Sequence, residues 1–514
     1  MPIDRRTRLN FRSAVIVLSA LSACAVLPAG PARCAKDEAF SISTLSVADK
    51  LLDLLVEDIN GDGLQDILAV HRKGLEPDET RWVSVFWQMK DGGFGTAADQ
   101  SWEVDSTAAL IDIGNVAGGL EKEICILTPG GVRYYMIDSA KFDTGARDLV
   151  KAAPLTVFPS KRNLPIVDFV QDWNDDGIEE TAIFTFSGLS ILSRDSKGEY
   201  SVENRISVDL PTDMTSRRNV EEKEGTAGIS AVFRFPRTVL ADFNGDGLRD
   251  LIATRFENTA VYIQGRNKAF SETPSEKLFF DVRTQHEKIE ENAFVETVIH
   301  DLNNDGYADA IVTKQSSKGL QNFRSVINIY FGKGGSYAEK PDQVIISEGS
   351  ASEATIVKDV NGDGRLDMIL PSIKISVTAI IRFLLTRSVP INFNIFILNE
   401  NNRYSDSPDF SKEVKFKIDL SGETDVQAVS LSGDFNGDRI KDFAFGTAEE
   451  ELSIFPGLPG GKDDLFSKKP AARIAVPAFG DLLSLDLNRD DYDDMIIFYP
   501  NSKDRKGMIQ VLMN

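Results

Sequence analysis

Seven nine-residue segments of this 514-residue chain repeat one pattern of acids and amides: Asp58–Asp66, Asp172–Glu180, Asp242–Asp250, Asp301–Asp309, Asp359–Asp367, Asp434–Asp442 and Asp486–Asp494. The first position is Asp58, Asp172, Asp242, Asp301, Asp359, Asp434 and Asp486. The third is Asn60, Asn174, Asn244, Asn303, Asn361, Asn436 and Asn488. The fifth is Asp62, Asp176, Asp246, Asp305, Asp363, Asp438 and Asp490. The ninth is Asp66, Glu180, Asp250, Asp309, Asp367, Asp442 and Asp494. An eighth, degenerate copy starts at Asp112-Ile113-Gly114-Asn115 and continues at Glu123-Ile124-Cys125-Ile126-Leu127; it keeps the flanking apolar pattern and loses the acidic one. With 112 as its start, successive units begin 52 to 75 residues apart. Periods of this size mark arrays in which each unit buries its apolar surface on its neighbours.

Short apolar runs flank every loop. Leu51-Leu52-Asp53-Leu54-Leu55-Val56 precedes the first, and Ile67-Leu68-Ala69-Val70 follows it. Leu251-Ile252-Ala253-Thr254 and Met495-Ile496-Ile497-Phe498 occupy the same place in later units. Runs of this length read as buried strands. A third, more alternating run follows in each unit, such as Val326-Ile327-Asn328-Ile329-Tyr330-Phe331, then a polar turn and a weaker fourth run. Four strands per unit, many units and no recurring long helix predict an all-β fold, an eight-bladed β-propeller with four-stranded antiparallel blades. Seven blades is the fallback if the weak second unit is not a blade. The last unit stops after its third strand, Met508–Leu512, and the segment Phe40–Val47 is free to supply the fourth. That pairing seals the ring and removes its open edge.

Alternating oxygens from one tight loop, with a backbone carbonyl near the seventh position, make a hard oxygen cage of the kind that suits Ca²⁺. Up to seven such sites are expected. The EF-hand shares part of this spacing but needs a glutamate at the twelfth position and flanking helices. Here the twelfth positions are apolar, such as Ala69, Ile183 and Ala253. Plain Asx turns without an ion are the alternative, and sevenfold repetition of the same four ligand types favours calcium. Glycine at the sixth position (Gly63, Gly177, Gly247, Gly306, Gly364) lets the chain turn back. Arg439 and Asp491 stand there in the last two loops, so sites 434–442 and 486–494 are expected to be weaker.

These repeats resemble the FG-GAP/VCBS repeats of bacterial secreted proteins and integrin α-subunit propellers, from about Ser41 to Asn514. The resemblance implies a calcium loop joining the first and second strands of each blade, and an adhesion or partner-binding role. Some related propellers are polysaccharide lyases or lectins, and fold does not choose among these.

The N-terminus reads as an address. Arg5, Arg6, Arg8 and Arg12 precede an apolar run, Ala14–Leu21, then small residues and Pro28. This order is that of a secretory signal peptide. Two cleavage points stay open: residues 1–32 leave by ordinary cleavage near Gly30-Pro31-Ala32, or 1–23 leave at the lipobox-like Leu21-Ser22-Ala23-Cys24, with Cys24 lipidated. Residues 33–39 are then a linker and 40–514 the propeller. Export is the expectation either way, to the periplasm, the extracellular space or the outer membrane as a lipoprotein. That anchor at Cys24 is the membrane attachment expected.

Net charge is −22, which repels phosphate and argues against nucleic acid. Two insertions interrupt the repeat, and both are expected on the face opposite the acidic loops. The charged stretch 211–236 reads as a solvated mobile loop. Residues 373–390 carry helical spacing at Ile373, Val377, Ile380, Ile381 and Leu384, read first as a small helix packed on its own propeller, with a greasy anchor for a partner or a membrane surface as the alternative. A protein or glycan partner is expected on this face. No catalytic motif appears, and His71, His286 and His300 read as structural or solvated. The leading reading is a non-enzymatic interaction or adhesion module. The alternative is a carbohydrate-active propeller, lyase or lectin, for which Arg283 and His286 are the nearest candidates.

Overall fold

A computed structural model describes residues 40–514 except 76, 156–159, 161, 218–227, 291–292, 318–322, 349, 352–354, 375–376, 418–426, 460–463 and 503. The N-terminal address and both cleavage points lie outside the described residues.

The apolar runs that flank each loop pair antiparallel across it. In blade 1 the first strand, Lys50–Glu57, joins the second, Asp66–Lys73, in the register Glu57↔Asp66 to Lys50↔Arg72. Thr80–Phe86 and Gln100–Glu103 complete the sheet. The same four-strand order recurs in blades 2 to 8, whose second strands are Glu123–Thr128, Glu180–Thr185, Asp250–Arg255, Asp309–Ser317, Asp367–Lys374, Asp442–Ala448 and Asp494–Phe498. The degenerate second unit is therefore a full blade, and the propeller has eight. In blade 6 the first strand is broken, and its pieces Ser350–Ala351 and Ile356–Lys358 both pair with the second.

The ring closes as the sequence predicts. Ser41–Ser46 pairs antiparallel with Met508–Met513, from Ser41↔Met513 to Ser46↔Met508, and so joins the two ends of the chain inside blade 8.

The core is not central. Among the described residues it forms eight apolar clusters, each filling the interface between two consecutive blades. Side chains alternate across a strand, so a second strand faces two neighbours at once. Ile124 and Ile126 pack toward blade 1, whereas Cys125 and Leu127 pack toward blade 3. That double burial explains why second strands are continuous apolar runs. It also makes Cys125 a buried small hydrophobe whose thiol burial pushes well up.

Both insertions leave the ring on the face opposite the acidic loops, and both depart from the first reading of the sequence. The charged segment is no simple loop: Thr212–Arg217 and Gly228–Phe233 pair as a hairpin, from Thr212↔Phe233 to Arg217↔Gly228. Its tip, with Arg218 and Glu221–Glu224, lies outside the described residues. The second insertion is a helix, Val377–Thr386, but its stripe faces the other way. Phe383 is the buried residue, packed into the interface of blades 6 and 7, while Val377, Ile381 and Leu384 are exposed. Ile373 belongs to the strand before the helix, and the side chain of Ile380 lies outside the described residues. One large ring with a ready pocket has outweighed the aliphatic stripe.

Leu45, in the closing strand, is fully buried in the cluster between blades 8 and 1. Leu45→Ala is expected to cost about 2–4 kcal/mol in urea unfolding. A loss below about 0.5 kcal/mol would mean that closure through this strand contributes nothing.

Candidate metal centre

All seven acidic loops join a first to a second strand, so they gather on one face of the ring. Within each loop the side chains fold onto the backbone in the same way. In loop 301–309, Asp301 accepts from the N–H of Asp305 through Oδ1 (3.0 Å) and of Gly306 through Oδ2 (2.9 Å). Asn303 Oδ1 accepts from the Asp305 N–H at 3.2 Å, and its Nδ2 donates to Asp305 Oδ2 at 2.9 Å. Asp305 Oδ1 accepts from the Tyr307 N–H at 3.0 Å. These are Asx turns, and the first, third and fifth side chains repeat them in the other loops.

The ninth carboxylate does something else. It is buried at the start of the second strand, and in six of the seven loops it accepts two backbone bonds from different places; Glu180 accepts one, from the Trp173 N–H at 2.9 Å, and takes the Asn174 side-chain amide at 3.3 Å on its other oxygen. One oxygen takes the N–H at loop position two: Asp66 from Ile59 (3.1 Å), Asp250 from Phe243 (3.0 Å), Asp309 from Leu302 (2.9 Å). The other takes an N–H just past the third strand: Gln88 (3.0 Å), Gln264 (2.8 Å) and Gly332 (2.7 Å). Asp367, Asp442 and Asp494 do the same with Leu398, Gly457 and Asn514. Each of these six therefore ties the loop to the end of the third strand of its own sheet.

Blade 2 corrects the alignment of the weak copy. Glu123 is buried there and accepts from Val116 and Ala117, both at 3.0 Å. It is the ninth residue counted from Asn115, so Asn115, and not Asp112, is the first position. Asp112 lies inside the first strand and caps Phe169 and Val170 of the next blade, both at 2.8 Å. The spacing of Asn115 to Glu123 carried this signal, and the search for acids at positions three and five passed over it. The ninth-position acid is thus present in all eight blades, and the other acids in seven.

Two positions per loop have positive φ. The sixth lies at 92° for Gly63, 88° for Gly306, 70° for Arg439 and 69° for Asp491. The last two loops thus keep the common backbone without glycine. The fourth position is also left-handed, and its glycines sit where neighbouring loops touch. A Cβ on Gly245 would lie 2.2 Å from the Tyr307 ring, and one on Gly362 would lie 2.8 Å from the Arg439 carbonyl oxygen. Eighth-position N–H groups donate back to the preceding loop, as in Ala308 to Asp242 O (2.7 Å) and Leu366 to Leu302 O (2.7 Å). The loops are therefore an interlocked collar rather than separate turns.

Cations from neighbouring blades lean on this collar. Arg249 reaches Asp175 Oδ1 at 2.8 Å and the Asp172 carbonyl at 3.1 Å, and Arg489 of blade 8 comes within 3.9 Å of Asp58 Oδ2 in blade 1. Arg365 bonds Asp363 of its own loop at 2.8 Å. Burial, reinforced by the other loop carboxylates and opposed by the backbone N–H bonds, raises the ninth acids. Asp66, Asp442 and Asp494 rise to about 6, Asp309 and Asp367 to about 7 and Glu180 to about 8.

The donor set is entirely hard oxygen, and Asp58 Oδ1 is a buried carboxylate oxygen with no hydrogen-bond partner. Both fit a hard cation. Among the described residues no three Asp, Glu, His or Cys side chains converge closely enough to hold an ion by themselves. A cage here has to include the third-position amide and backbone carbonyls.

A family model described as an FG-GAP-like repeat matches residues 301–370, from the loop of blade 5 into the second strand of blade 6. No curated protein matches the chain. Similar solved structures include an Agrocybe aegerita lectin that recognises non-reducing terminal N-acetylglucosamine, at 12% identity over 90% of this chain and 99% of that one, with a TM-score of 0.44. The V. cholerae biofilm matrix protein Bap1 is 12% identical over 91% and 88%, with a TM-score of 0.37. Sqt1 from Chaetomium thermophilum is 9% identical over 92% and 99%, with a TM-score of 0.42. At these scores the likenesses carry no argument about function.

Arg439 is exposed at φ 70°, so Arg439→Gly is expected to stabilise the fold by about 0.5–1 kcal/mol in urea unfolding. A loss would show that the side chain, and not the backbone, sets the cost. The ninth acids ionise near pH 4 when unfolded and higher when folded, so the folded state holds extra protons between those values. Their contribution is fully present below about pH 4 and is lost as pH rises through about 6 to 8. In excess chelator the thermal midpoint should therefore climb as pH falls from 8.5 to about 5.5; a flat or falling midpoint would contradict the burial argument. The chain is thus an eight-bladed β-propeller that carries an FG-GAP-like repeat.

Proposed function

We propose that this chain is an exported, calcium-stabilised propeller that acts as a non-enzymatic interaction or adhesion module at the bacterial cell surface or in the periplasm. The observation that carries this reading is the division of labour between the two faces. One face repeats the same acidic loop seven times, while the other carries the hairpin and the helix that differ from blade to blade. Variable connections on a rigid scaffold are where binding resides.

Ca²⁺ would be held by the first, third, fifth and ninth side chains of each loop, with the seventh carbonyl completing the set. When bound, it supplies the positive charge that three clustered carboxylates per loop lack. Extracellular sites of this kind have dissociation constants on the order of 0.1–1 mM. Tenfold excess then stabilises the fold by about 1.4 kcal/mol per ion. Loop 359–367 already holds Arg365 against Asp363, and loop 58–66 lies near Arg489, so both start with part of their charge offset.

The side chains nearest to catalytic candidates have other partners. His71 is buried, with Nδ1 3.0 Å from the Ala48 carbonyl oxygen and Nε2 2.8 Å from Ser84 Oγ, and burial lowers it to about 4. Arg283 Nε donates at 2.7 Å to Glu257, a buried acid, which leaves His286 without its proposed companion. His286 is exposed on the short helix Gln285–Glu290.

Two measurements test this reading. Excess chelator should lower the thermal midpoint at pH 8, and Ca²⁺ but not equimolar Mg²⁺ should restore it; an unchanged midpoint would sink the calcium assignment. Incubation of the calcium-loaded protein with a panel of uronic-acid polysaccharides should give no rise in ultraviolet absorbance. A rise would make it a lyase.

A further inference from the structure

The seventh loop position sets one loop apart from the other six. Leu64, Ile178, Leu248, Tyr307, Ile440 and Tyr492 stand there in six loops, and Arg365 stands there in loop 359–367. The Arg365 guanidinium turns back on its own loop. Its Nη2 donates to Asp363 Oδ2 at 2.8 Å, the oxygen that also accepts from Asn361 Nδ2 at 3.0 Å. Arg249 and Lys441, at eighth positions, point instead to neighbouring blades: Arg249 to Asp175 at 2.8 Å and Lys441 to Asp493 at 3.6 Å.

Arg365 is anchored at both ends of its guanidinium. Nε donates to the Leu398 carbonyl at 3.1 Å, and the N–H of the same Leu398 donates to Asp367 Oδ1 at 3.0 Å. Leu398 is fully buried, just past the third strand Ser388–Phe396. The turn that the ninth acid holds therefore also holds the arginine. The side chains of Arg365 and Asp363 are only 24% and 26% exposed, so water screens the pair less than it screens a surface pair. The result is a charge-assisted bond on a fifth-position carboxylate.

That carboxylate is one the proposed cage needs. A free ion competes for it at its bulk concentration, on the order of 1 mM for extracellular sites. A tethered guanidinium competes as an intramolecular partner, at an effective concentration of millimolar order. It also stays on the loop as a like charge beside any ion that displaces it. We infer that Arg365 is a built-in counter-cation that keeps loop 359–367 from taking Ca²⁺ at concentrations that fill its neighbours. The inference rests on the calcium reading of the acidic loops and narrows it by one loop: blade 6 is neutralised by its own arginine.

Counting bound ions tests it. The full chain is dialysed to equilibrium against radioactive Ca²⁺ at about 1 mM free ion, where a site of this class is roughly half filled or more. Arg365→Leu copies the residue that loops 58–66 and 242–250 carry at this position. It should raise the count by about half an ion per chain or more, and Arg365→Gln should do the same. Adding Asp363→Ala to Arg365→Leu should abolish the gain. Asp363→Ala alone should leave the wild-type count unchanged. Asp305→Ala and Asp246→Ala, at the same position of two other loops, should each lower it. Far-ultraviolet circular dichroism reports that each variant is folded. No gain in either Arg365 variant, or a loss in Asp363→Ala equal to that in Asp305→Ala, would overturn the inference and leave the calcium reading standing. If Asp305→Ala and Asp246→Ala also left the count unchanged, the calcium reading itself would fall, and the inference with it.

Discussion

A buried carboxylate that bridges two backbone N–H groups is the constraint on which six of the eight blades depend. The ninth loop residue sits at the start of the second strand, out of water, with one oxygen on the loop and the other on the chain leaving the third strand. Those N–H groups end strands or open turns, and left alone each would cost about 1–3 kcal/mol. One side chain satisfies both and fixes the loop relative to the sheet. Blade 2 keeps the loop half of the device without the rest of the acidic pattern, since Glu123 still accepts from Val116 and Ala117 where the other acids are gone.

The same burial creates the electrostatic problem that the face has to solve. The ninth acid is raised toward neutrality by desolvation and by the carboxylates at positions one and five. Cations from neighbouring blades answer part of it, with Arg249 on loop 172–180 and Arg489 near loop 58–66. The proposed calcium answers the rest. Eighth-position N–H groups lock Lys122 to Ile59, Ala308 to Asp242, Leu366 to Leu302, Lys441 to Val360 and Asp493 to Asp434, so these loops share a backbone frame with their neighbours.

Much of this was legible in the sequence because it is periodic. Apolar runs on both sides of a fixed acidic spacing gave strands, blades and the closing pair Ser41–Ser46 with Met508–Met513. The role of the ninth acid was hidden because its second partner is a backbone N–H, 22 residues downstream for Asp66 and 14 for Asp250. A backbone donor has no residue-type signature. Asp112 misled for a related reason: it caps the next blade, and its first-position look is coincidental. The helix stripe was read outward for inward because periodicity finds an apolar face but not which apolar residue fits a pocket. Phe383 fits the gap between blades 6 and 7, and the aliphatic residues are left outside.

The central claim is that the ninth acid of loop 58–66 holds the fold whether or not an ion is bound, whereas the fifth matters chiefly through the proposed ion. Urea unfolding of Asp66→Ala and Asp62→Ala at pH 8, each with excess chelator and with excess Ca²⁺, separates the two. Asp66→Ala should lose stability by about 2 kcal/mol or more under both conditions, because it frees the Ile59 and Gln88 N–H groups whether or not an ion is bound. Asp62→Ala, at an exposed position, should lose stability chiefly in Ca²⁺. A loss for Asp66→Ala that appears only with Ca²⁺ would contradict the account and make the ninth carboxylate a ligand alone.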